Sequence, residues 1–558
     1  MKSGAHVPTR RDDESRRYGN RHIPWLKGFE STLDGGIKIM NRIRTRRSFL
    51  KAASSLALAA PFIARMPRAA ASTRSFDPSF GTASEAARAL QSGVISSREL
   101  CEHVFVRINK YNPKINAFIT LAQEQAMEQA KRADDALAAG NVLGPLHGVP
   151  IVIKDQFPTA GIRTTSGSKM YESHVPKEDA VAVARLKNAG AIVIGKTNLP
   201  EFGGDHQTFN QVAGRTNNPW DLTRTPGGST GGGAAALAAG LGFLELGSDL
   251  GGSIRNPSHF CGVYGHKPTI ELVPRGGIIN SPPGSPTLAF SYLPVAGPLA
   301  RSAQDLQLQL DVTGGPAAPE SVAYRWRLPP ARGARLKDYR IGYVLNDPFC
   351  PVTSEVSDVL AVAVDAMGKQ GAQMREGWPA GIDPSKIFDA YYSLLLSHFF
   401  PREEGRNRAR ERVKGATDYY SAKLLEPSPS QSEWRLTDGT RLDARRIWQE
   451  YFRSYDAFLM PVNFVPAFLH LEQPIFNDRI IPTAHGQRNY QDVMRWISIA
   501  THSGCPATAA PAGLTKQGLP VGIQIMGPFL EDATPINIAG LMADVVGGFR
   551  PPPGFDND

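Results

Sequence analysis

Two serines in glycine-lined loops constrain this chain more than any other feature. Residues 226–255 read PGGSTGGGAAALAAGLGFLELGSDLGGSIR and place Ser229 and Ser253 24 residues apart. A small-residue run typical of a closely packed helix, and then a short apolar strand, lie between them. Glycine beside a serine permits backbone conformations and close approaches that other residues exclude. The pattern predicts two catalytic or anion-binding loops rather than two ordinary turns.

A lysine supplies the base that such serines need. Residues 148–154 (GVPIVIK) form a β-branched run typical of a buried strand that ends at Lys154. A serine hydroxyl is a poor nucleophile until another group takes its proton. Burial lowers the pKa of a lysine because it disfavours the ammonium form. A neutral Lys154 could therefore take the proton of Ser229 while Ser229 takes the proton of Ser253.

The loop at Ser253 also predicts an oxyanion hole. Backbone N–H groups in a turn after a strand can converge on one point, and a single such donor can contribute ~3 kcal/mol to the transition state. The predicted donors are Leu250, Gly251, Gly252 and Ser253. The predicted substrate contacts are Gly203, Gly204 and Ser229, with pocket walls drawn from residues 200–210 and from the variable 380–500 region.

A rival motif overlaps the first loop. Gly227, Ser229 and Gly231 match the G-x-S-x-G nucleophile elbow, which requires a hydrophobic strand directly before it. Residues 221–226 read DLTRTP and cannot form a central strand, so the match is interpreted as accidental. No histidine has a spacing that indicates a catalytic triad; His206 is expected to border the pocket, and the others are interpreted as structural.

Three segments resemble the amidase signature family: 226–232 (PGGSTGG), 247–255 (GSDLGGSIR) and 261–268 (CGVYGHKP), with shorter likenesses at 196–202 and 217–220. The resemblance implies an α/β sandwich with a central mixed β-sheet covered by helices on both faces. It implies hydrolysis of a carboxamide without metal or cofactor. By position, Lys154 takes the role of base, Ser229 bridges after a cis peptide bond from Gly228, and Ser253 is acylated. Thr230 stands where the family usually has a second serine, and His266 where an apolar residue is commoner.

The first 71 residues predict export. They hold 15 of the 62 Lys and Arg and 5 of the 52 Asp and Glu, so the rest of the chain is formally neutral and its charge indicates no nucleic-acid partner. Residues 45–51 (TRRSFLK) form a twin-arginine pattern, followed by a weakly apolar run at 52–64 and alanines at 69–71. This order is typical of a cleaved signal peptide, and the run is too short to span a membrane. We expect the twin-arginine export machinery as a partner, a periplasmic or secreted bacterial enzyme, and no stable membrane anchor. Met40 is an alternative start.

Residues 72–558 are predicted to form one amidase signature domain with a helical excursion at about 380–455. Alternation of strand and helix, as in the strand 148–154, the helix 178–189 and the strand 191–194, indicates parallel βαβ units. Residues 82–140 are predicted to form helices, one after a capping-box pattern at Ser96 and Glu99 and another from about Thr120 to Gly140. The four cysteines are far apart, and no spacing typical of a metal site occurs, so neither a disulfide framework nor a metal is expected.

These observations favour an exported amidase that releases ammonia or an amine from a small-molecule carboxamide. Two alternatives stay open: an esterase or peptide-amide hydrolase on the same scaffold, and a non-catalytic exported binding protein. The transfer-RNA amidotransferase subunit shares the signature, but an exported chain would not meet cytoplasmic partners.

Overall fold

A computed structural model describes residues 76–285, 292–473, 476–484 and 486–555. The twin-arginine leader and His485 lie outside these residues. Within them the helices are α1 Ala83–Gln91, α2 Ser97–Ile115, α3 Gln123–Ala138, α4 Val181–Asn188, α5 Gly231–Ala238, α6 Arg255–Cys261, α7 Ala303–Thr313, α8 Ser354–Lys369, α9 Pro384–Phe399, α10 Glu403–Arg412, α11 Tyr419–Leu425, α12 Gln431–Tyr451, α13 Arg495–Ser503 and α14 Ala533–Val546.

The strands of the described residues form one large sheet and two short hairpins. They are β1 Phe118–Leu121, β2 Pro150–Lys154, β3 Ile192–Thr197, β4 Phe209–Asn210, β5 Gly214–Arg215, β6 Leu244–Asp249, β7 Tyr264–Lys267, β8 Val295–Ala300, β9 Arg340–Tyr343, β10 Gln373–Glu376, β11 Ala457–Pro461, β12 Ile480–Thr483, β13 Gly486–Asn489, β14 Ala507–Leu514 and β15 Pro520–Met526. The large sheet has 11 strands in the order β1-β3-β2-β6-β8-β7-β14-β15-β11-β9-β10.

The sheet is mixed, as predicted. Strand β2 pairs in parallel with both β3 and β6, whereas β6 and β8 are antiparallel, as are β14 and β15. Every residue of β2 and β3 is buried. Because successive side chains of a strand point to opposite faces, complete burial means that both faces of the sheet are covered at this place.

Parallel pairing of β2 with β6 brings Lys154 next to the predicted loop of Ser253. Strand β2 ends at Lys154 and strand β6 ends at Asp249, directly before residues 250–253. The carboxyl ends of parallel neighbours meet at one edge of a sheet, which is where ligands bind in open α/β folds. The lysine and the second glycine loop therefore lie side by side because of the strand direction.

One short strand was not predicted. Residues 118–121 pair with β3 as an antiparallel edge strand, although the sequence favours helix through 82–140. The following helix α3 accordingly begins at Gln123 rather than near Thr120. Four consecutive helices, α9 to α12, occupy residues 384–451. In the described part of the chain, no helix has the length and apolar character needed to cross a membrane.

Candidate active site

Lys154 is the buried centre of a cluster of hydroxyl groups. Its Nζ lies 2.7 Å from Ser229 Oγ, 3.1 Å from Thr230 Oγ1 and 2.9 Å from Ser248 Oγ. The side chain has no exposed surface, and burial lowers the pKa of Lys154 to about 7, although the nearby carboxyl groups of Glu245 and Asp249 act in the opposite direction. A large fraction of the side chain is therefore a neutral amine near neutral pH.

Glycines allow Ser229 to reach this lysine. The peptide bond between Gly228 and Ser229 is cis, as the family resemblance implies. A Cβ atom on Gly228 would lie 2.7 Å from the carbonyl oxygen of Asp205, so only glycine fits where the two loops cross. Gly203 has a φ of +72°, and a Cβ added there would lie 3.2 Å from Ser229 Oγ. Of the two glycines predicted to contact substrate, Gly203 therefore borders Ser229.

Asp249 holds the loop that carries Ser253. Its carboxylate accepts hydrogen bonds from the backbone N–H groups of Gly252, Ile254 and Arg255. It also pairs with the guanidinium of Arg255, through Nε at 3.0 Å and Nη2 at 2.8 Å, and both side chains are fully buried. Burial alone would raise the pKa of Asp249, but the Arg255 charge and these donors lower it, so the carboxylate stays ionised.

A backbone hydrogen bond links the two serine loops, and a proline leaves its acceptor free. Ser253 stands before helix α6, where the residue four positions later is Pro257, which has no N–H to donate back. The Ser253 carbonyl instead accepts a hydrogen bond of 3.1 Å from the backbone N–H of Thr230. The backbone of Ser253 is thus fixed directly to the residue after Ser229.

The hydroxyl groups of the two serines are not joined. Within the described residues, no hydrogen bond connects the Ser253 side chain to Ser229, and Ser253 is 7% exposed. The structure therefore brings together Lys154 and Ser229, with Ser253 adjacent through its backbone only.

The predicted oxyanion donors behave differently from one another. The N–H of Gly252 donates to Asp249 Oδ1 at 3.1 Å, so the prediction that it serves an oxyanion is not met by this geometry. The N–H groups of Leu250, Gly251 and Ser253 have no acceptor among the described residues. Three of the four predicted donors are therefore available.

A buried carboxyl group lies on the same face of the sheet as Lys154. Glu245 is opposite Val152 in the β2–β6 pairing, and its Oε1 accepts a hydrogen bond of 2.8 Å from the hydroxyl of Thr197, the β3 partner of Lys154. Gly233 of helix α5 makes room for it, since a Cβ there would lie 2.4 Å from the Glu245 carboxyl carbon. Its Oε2 is buried without a partner in the described structure. Burial raises the pKa of Glu245 to about 8, which keeps the group protonated at neutral pH.

Aromatic and neutral groups surround Gly251. A Cβ on this glycine would meet His206 Cε1 at 3.5 Å, Met494 Sδ at 3.6 Å and the Tyr391 hydroxyl oxygen at 3.6 Å. The Tyr391 hydroxyl donates to the Leu250 carbonyl at 3.1 Å. Burial lowers the pKa of His206 to about 4, so this imidazole is neutral. His206 borders the site, as the sequence predicts.

The charged groups behind His206 are paired with each other. Arg479 donates to Asp205 at 2.6 Å, and Tyr490 donates to the other oxygen of the same carboxylate. The ring of His206 lies 5.5 Å from the ring centres of both Phe476 and Tyr490. This wall therefore offers ring surfaces and no unpaired charge from these residues.

Several groups of the site were missed from the sequence. Ser248 and Gln156 received no role, because contacts between residues far apart in the chain leave no periodic signal. Glu245 could have been noticed as an acidic residue inside an otherwise apolar strand. Among the histidines interpreted as structural, His266 lies between Thr508 Oγ1 at 2.9 Å and Asp532 Oδ1 at 3.1 Å.

Comparison with known proteins identifies the class. The family model described as amidase matches residues 99–535. One relative is a subunit of the Glutamyl-tRNA(Gln) amidotransferase of Rhodopirellula baltica, to which the chain is 35% identical over 85% of its own length and 98% of the relative. A solved structure described as an amidase matches with a TM-score of 0.68 and 27% identity, over 84% of this chain and 100% of that one. A structure from a vestigial complex related to an s-triazine catabolic enzyme matches with a TM-score of 0.70 and 28% identity, over 84% and 99%.

The chain belongs to the amidase signature family, as the three segments around Ser229, Ser253 and Pro268 predict. It is an enzyme of the class that acts on amides, built on the mixed sheet that the family shares.

Proposed function

We propose that this protein is an amidase that hydrolyses a neutral carboxamide through an acyl-enzyme on Ser253, with Ser229 and Lys154 as the proton relay. One observation carries the proposal: a buried lysine with a lowered pKa lies 2.7 Å from the hydroxyl of Ser229. A buried neutral amine contributes little to the stability of a fold. A purely structural role, as in a binding protein, therefore does not account for this lysine, whereas catalysis by a base does.

The donors around Lys154 favour proton transfer from Ser229. A neutral amine has two N–H donors and one lone pair. The Ser248 hydroxyl donates to Gln156 Oε1 at 2.8 Å, and the Thr230 hydroxyl donates to the Ser248 carbonyl at 3.4 Å, so both oxygens meet Nζ as acceptors. The two N–H donors then go to Ser248 and Thr230, and the lone pair is left for Ser229. This is the arrangement that general-base catalysis requires.

We propose the following sequence of steps. The Ser253 oxygen attacks the amide carbon as its proton passes to Ser229 and the Ser229 proton passes to Lys154. The N–H groups of Leu250, Gly251 and Ser253 are the donors available to the oxyanion. The relay then protonates the departing amine, and water releases the acid by the reverse path. This mechanism requires the Ser253 hydroxyl to approach Ser229 when an amide occupies the site.

The walls of the site favour an uncharged acyl group. His206 is neutral, Arg479 is paired with Asp205, and Tyr391 and Met494 lie beside Gly251. Burying an unpaired charge against such a surface costs several kcal/mol, on the order of the whole binding energy of a small ligand. We therefore propose aryl or aliphatic carboxamides as the substrate class.

The test is turnover of neutral amides by purified variants. Ser253→Ala should abolish hydrolysis. Ser258→Ala should not, because it removes a hydroxyl of helix α6 that donates to the Ile254 carbonyl. Amide turnover by Ser253→Ala close to that of the unchanged protein would refute the assignment. Paired amide and ester substrates in the same assay separate an amidase from an esterase.

A second candidate is a component of an amidotransferase, which the name of the relative at 35% identity favours. Such a component would release ammonia for a partner rather than for solution. Amide hydrolysis by the isolated chain at a rate unaffected by candidate partner proteins would favour the amidase. Glutamine-specific hydrolysis that appears only in a complex would favour the amidotransferase.

We further propose export by the twin-arginine pathway, with cleavage near residues 69–71, on the pattern at 45–51. Amino-terminal sequencing of the mature protein tests this. Replacement of Arg46 and Arg47 by lysine should retain the protein in the cytoplasm, and secretion of that variant would contradict the proposal.

A further inference from the structure

Gln156 is joined to the catalytic cluster through Ser248 rather than through a hydrogen bond to the lysine. It follows Lys154 by two positions, is 6% exposed, and its backbone carbonyl accepts a hydrogen bond of 3.0 Å from the N–H of Ile279. Its side-chain oxygen accepts a hydrogen bond of 2.8 Å from the Ser248 hydroxyl. The Ser248 oxygen lies in turn 2.9 Å from Lys154 Nζ.

The Ser248 hydroxyl has two possible hydrogen-bond acceptors. A hydroxyl has one hydrogen, so Ser248 can donate either to Gln156 or to the lone pair of a neutral Lys154, but not to both. In the second case the lone pair is occupied, and Ser229 has no base at 2.7 Å. The carboxamide oxygen of Gln156 decides between the two states because it offers the Ser248 hydrogen a second acceptor, at 2.8 Å.

We propose that Gln156 is a positioning residue that holds Ser248 as a hydrogen-bond acceptor and thereby directs the lone pair of Lys154 at Ser229. This inference rests on the proposed function. In the step it serves, the O–H bond of Ser229 breaks and an N–H bond forms on the lone pair of Nζ. At the same time Ser229 receives the proton of Ser253, whose oxygen bonds to the carbonyl carbon. Gln156 exchanges no proton.

The position of the carboxamide nitrogen agrees with this orientation. The Nε2 atom of Gln156 lies 3.6 Å from the place of a Cβ on Gly203, so it turns towards the Gly203 side, while the oxygen faces Ser248. A methionine at this position would keep most of the side-chain volume and replace the carboxamide oxygen by a thioether sulfur, which is only a weak acceptor. That replacement isolates the hydrogen bond from packing.

The experiment is a double-mutant cycle on kcat for a neutral amide. Gln156→Met should lower kcat about tenfold with little change in KM, since the lone pair is misdirected and binding is not. In a Ser248→Ala background the hydroxyl that Gln156 orients is absent, while the Thr230 hydroxyl keeps its acceptor, the backbone carbonyl of residue 248, so Gln156→Met should change kcat less than about twofold. If the role of Gln156 were purely structural, Gln156→Met would lower kcat by the same factor with Ser248 present and with Ser248→Ala. That result would overturn the inference, and so would an unchanged kcat in Gln156→Met alone.

Two controls keep the outcome interpretable. Gln156→Ala removes the same acceptor and replaces Gln156→Met in the cycle if that variant does not fold. Lys154→Ala and Ser229→Ala are measured alongside. If these two retain amide turnover, the proposed function fails; if they lose it while the cycle is additive, only the role of Gln156 fails.

Discussion

The buried carboxyl group of Glu245 predicts how the free energy of unfolding changes with pH, in both direction and magnitude. Burial raises its pKa from the ordinary 4.5 to about 8, so the folded protein keeps a proton that the unfolded chain releases above 4.5. Folding must therefore take up a proton between these values, and stability falls as pH rises through the window. Glutamine at this position keeps the shape of the protonated acid and takes up no proton.

The magnitude follows from linkage. One pH unit of differential protonation corresponds to about 1.4 kcal/mol, so the gain in unfolding free energy of Glu245→Gln over the unchanged protein should grow by about that amount per unit between about pH 5 and 8. At pH 7, which lies about 2.5 units above the ordinary pKa, the gain in unfolding free energy approaches ~3 kcal/mol.

Urea unfolding of both proteins across this pH range measures the difference directly. Glu124→Gln, which removes an exposed carboxylate on helix α3, is the matched control. A difference that does not change with pH, or a Glu245→Gln variant less stable than the unchanged protein at pH 7, would refute the reasoning.

Three further outcomes are expected. The kcat/KM for a neutral amide should rise through about pH 7 as Lys154 loses its proton, and a pH–rate profile without an acid limb in that region would contradict the role of the amine. Lys154→Ala should reduce amide cleavage far more than ester cleavage, because an alkoxide leaves with less protonation than an amine; equal losses on matched substrates would argue against proton relay. Asp249→Asn should lower the free energy of unfolding by about 3 kcal/mol, since it leaves the buried charge of Arg255 without its partner; denaturant unfolding measures this, and a change near zero would speak against the ion pair as the support of the loop.

The sequence predicted the parts of the site that depend on strand direction. The sequence indicates an apolar strand that ends at Lys154 and a second strand that ends before residues 250–253. Once these two strands are parallel, the lysine lies beside the glycine loop. The glycines at 227 and 228 likewise follow from the need for a positive φ and a close approach of the 205–207 loop.

Other features could not be predicted because they depend on the packing of distant segments. Strand β1 has four residues, too few for a periodic pattern, and it exists because β3 offers it a free edge. The glycine pattern predicts that the Gly252 amide serves an oxyanion, but this amide donates to Asp249, and the spacing of the glycines does not indicate that contact. The Ser248–Gln156 pair joins positions 92 apart, where no local pattern carries information.

Covalent labelling of the nucleophile tests the central claim most directly. The protein is treated with a fluorophosphonate and digested, and the modified peptide is sequenced by mass spectrometry. The account predicts one modification on Ser253, formed more slowly in Ser229→Ala and Lys154→Ala than in the unchanged protein. A protein that turns over amides while its label falls on any other residue, or on none, would contradict it.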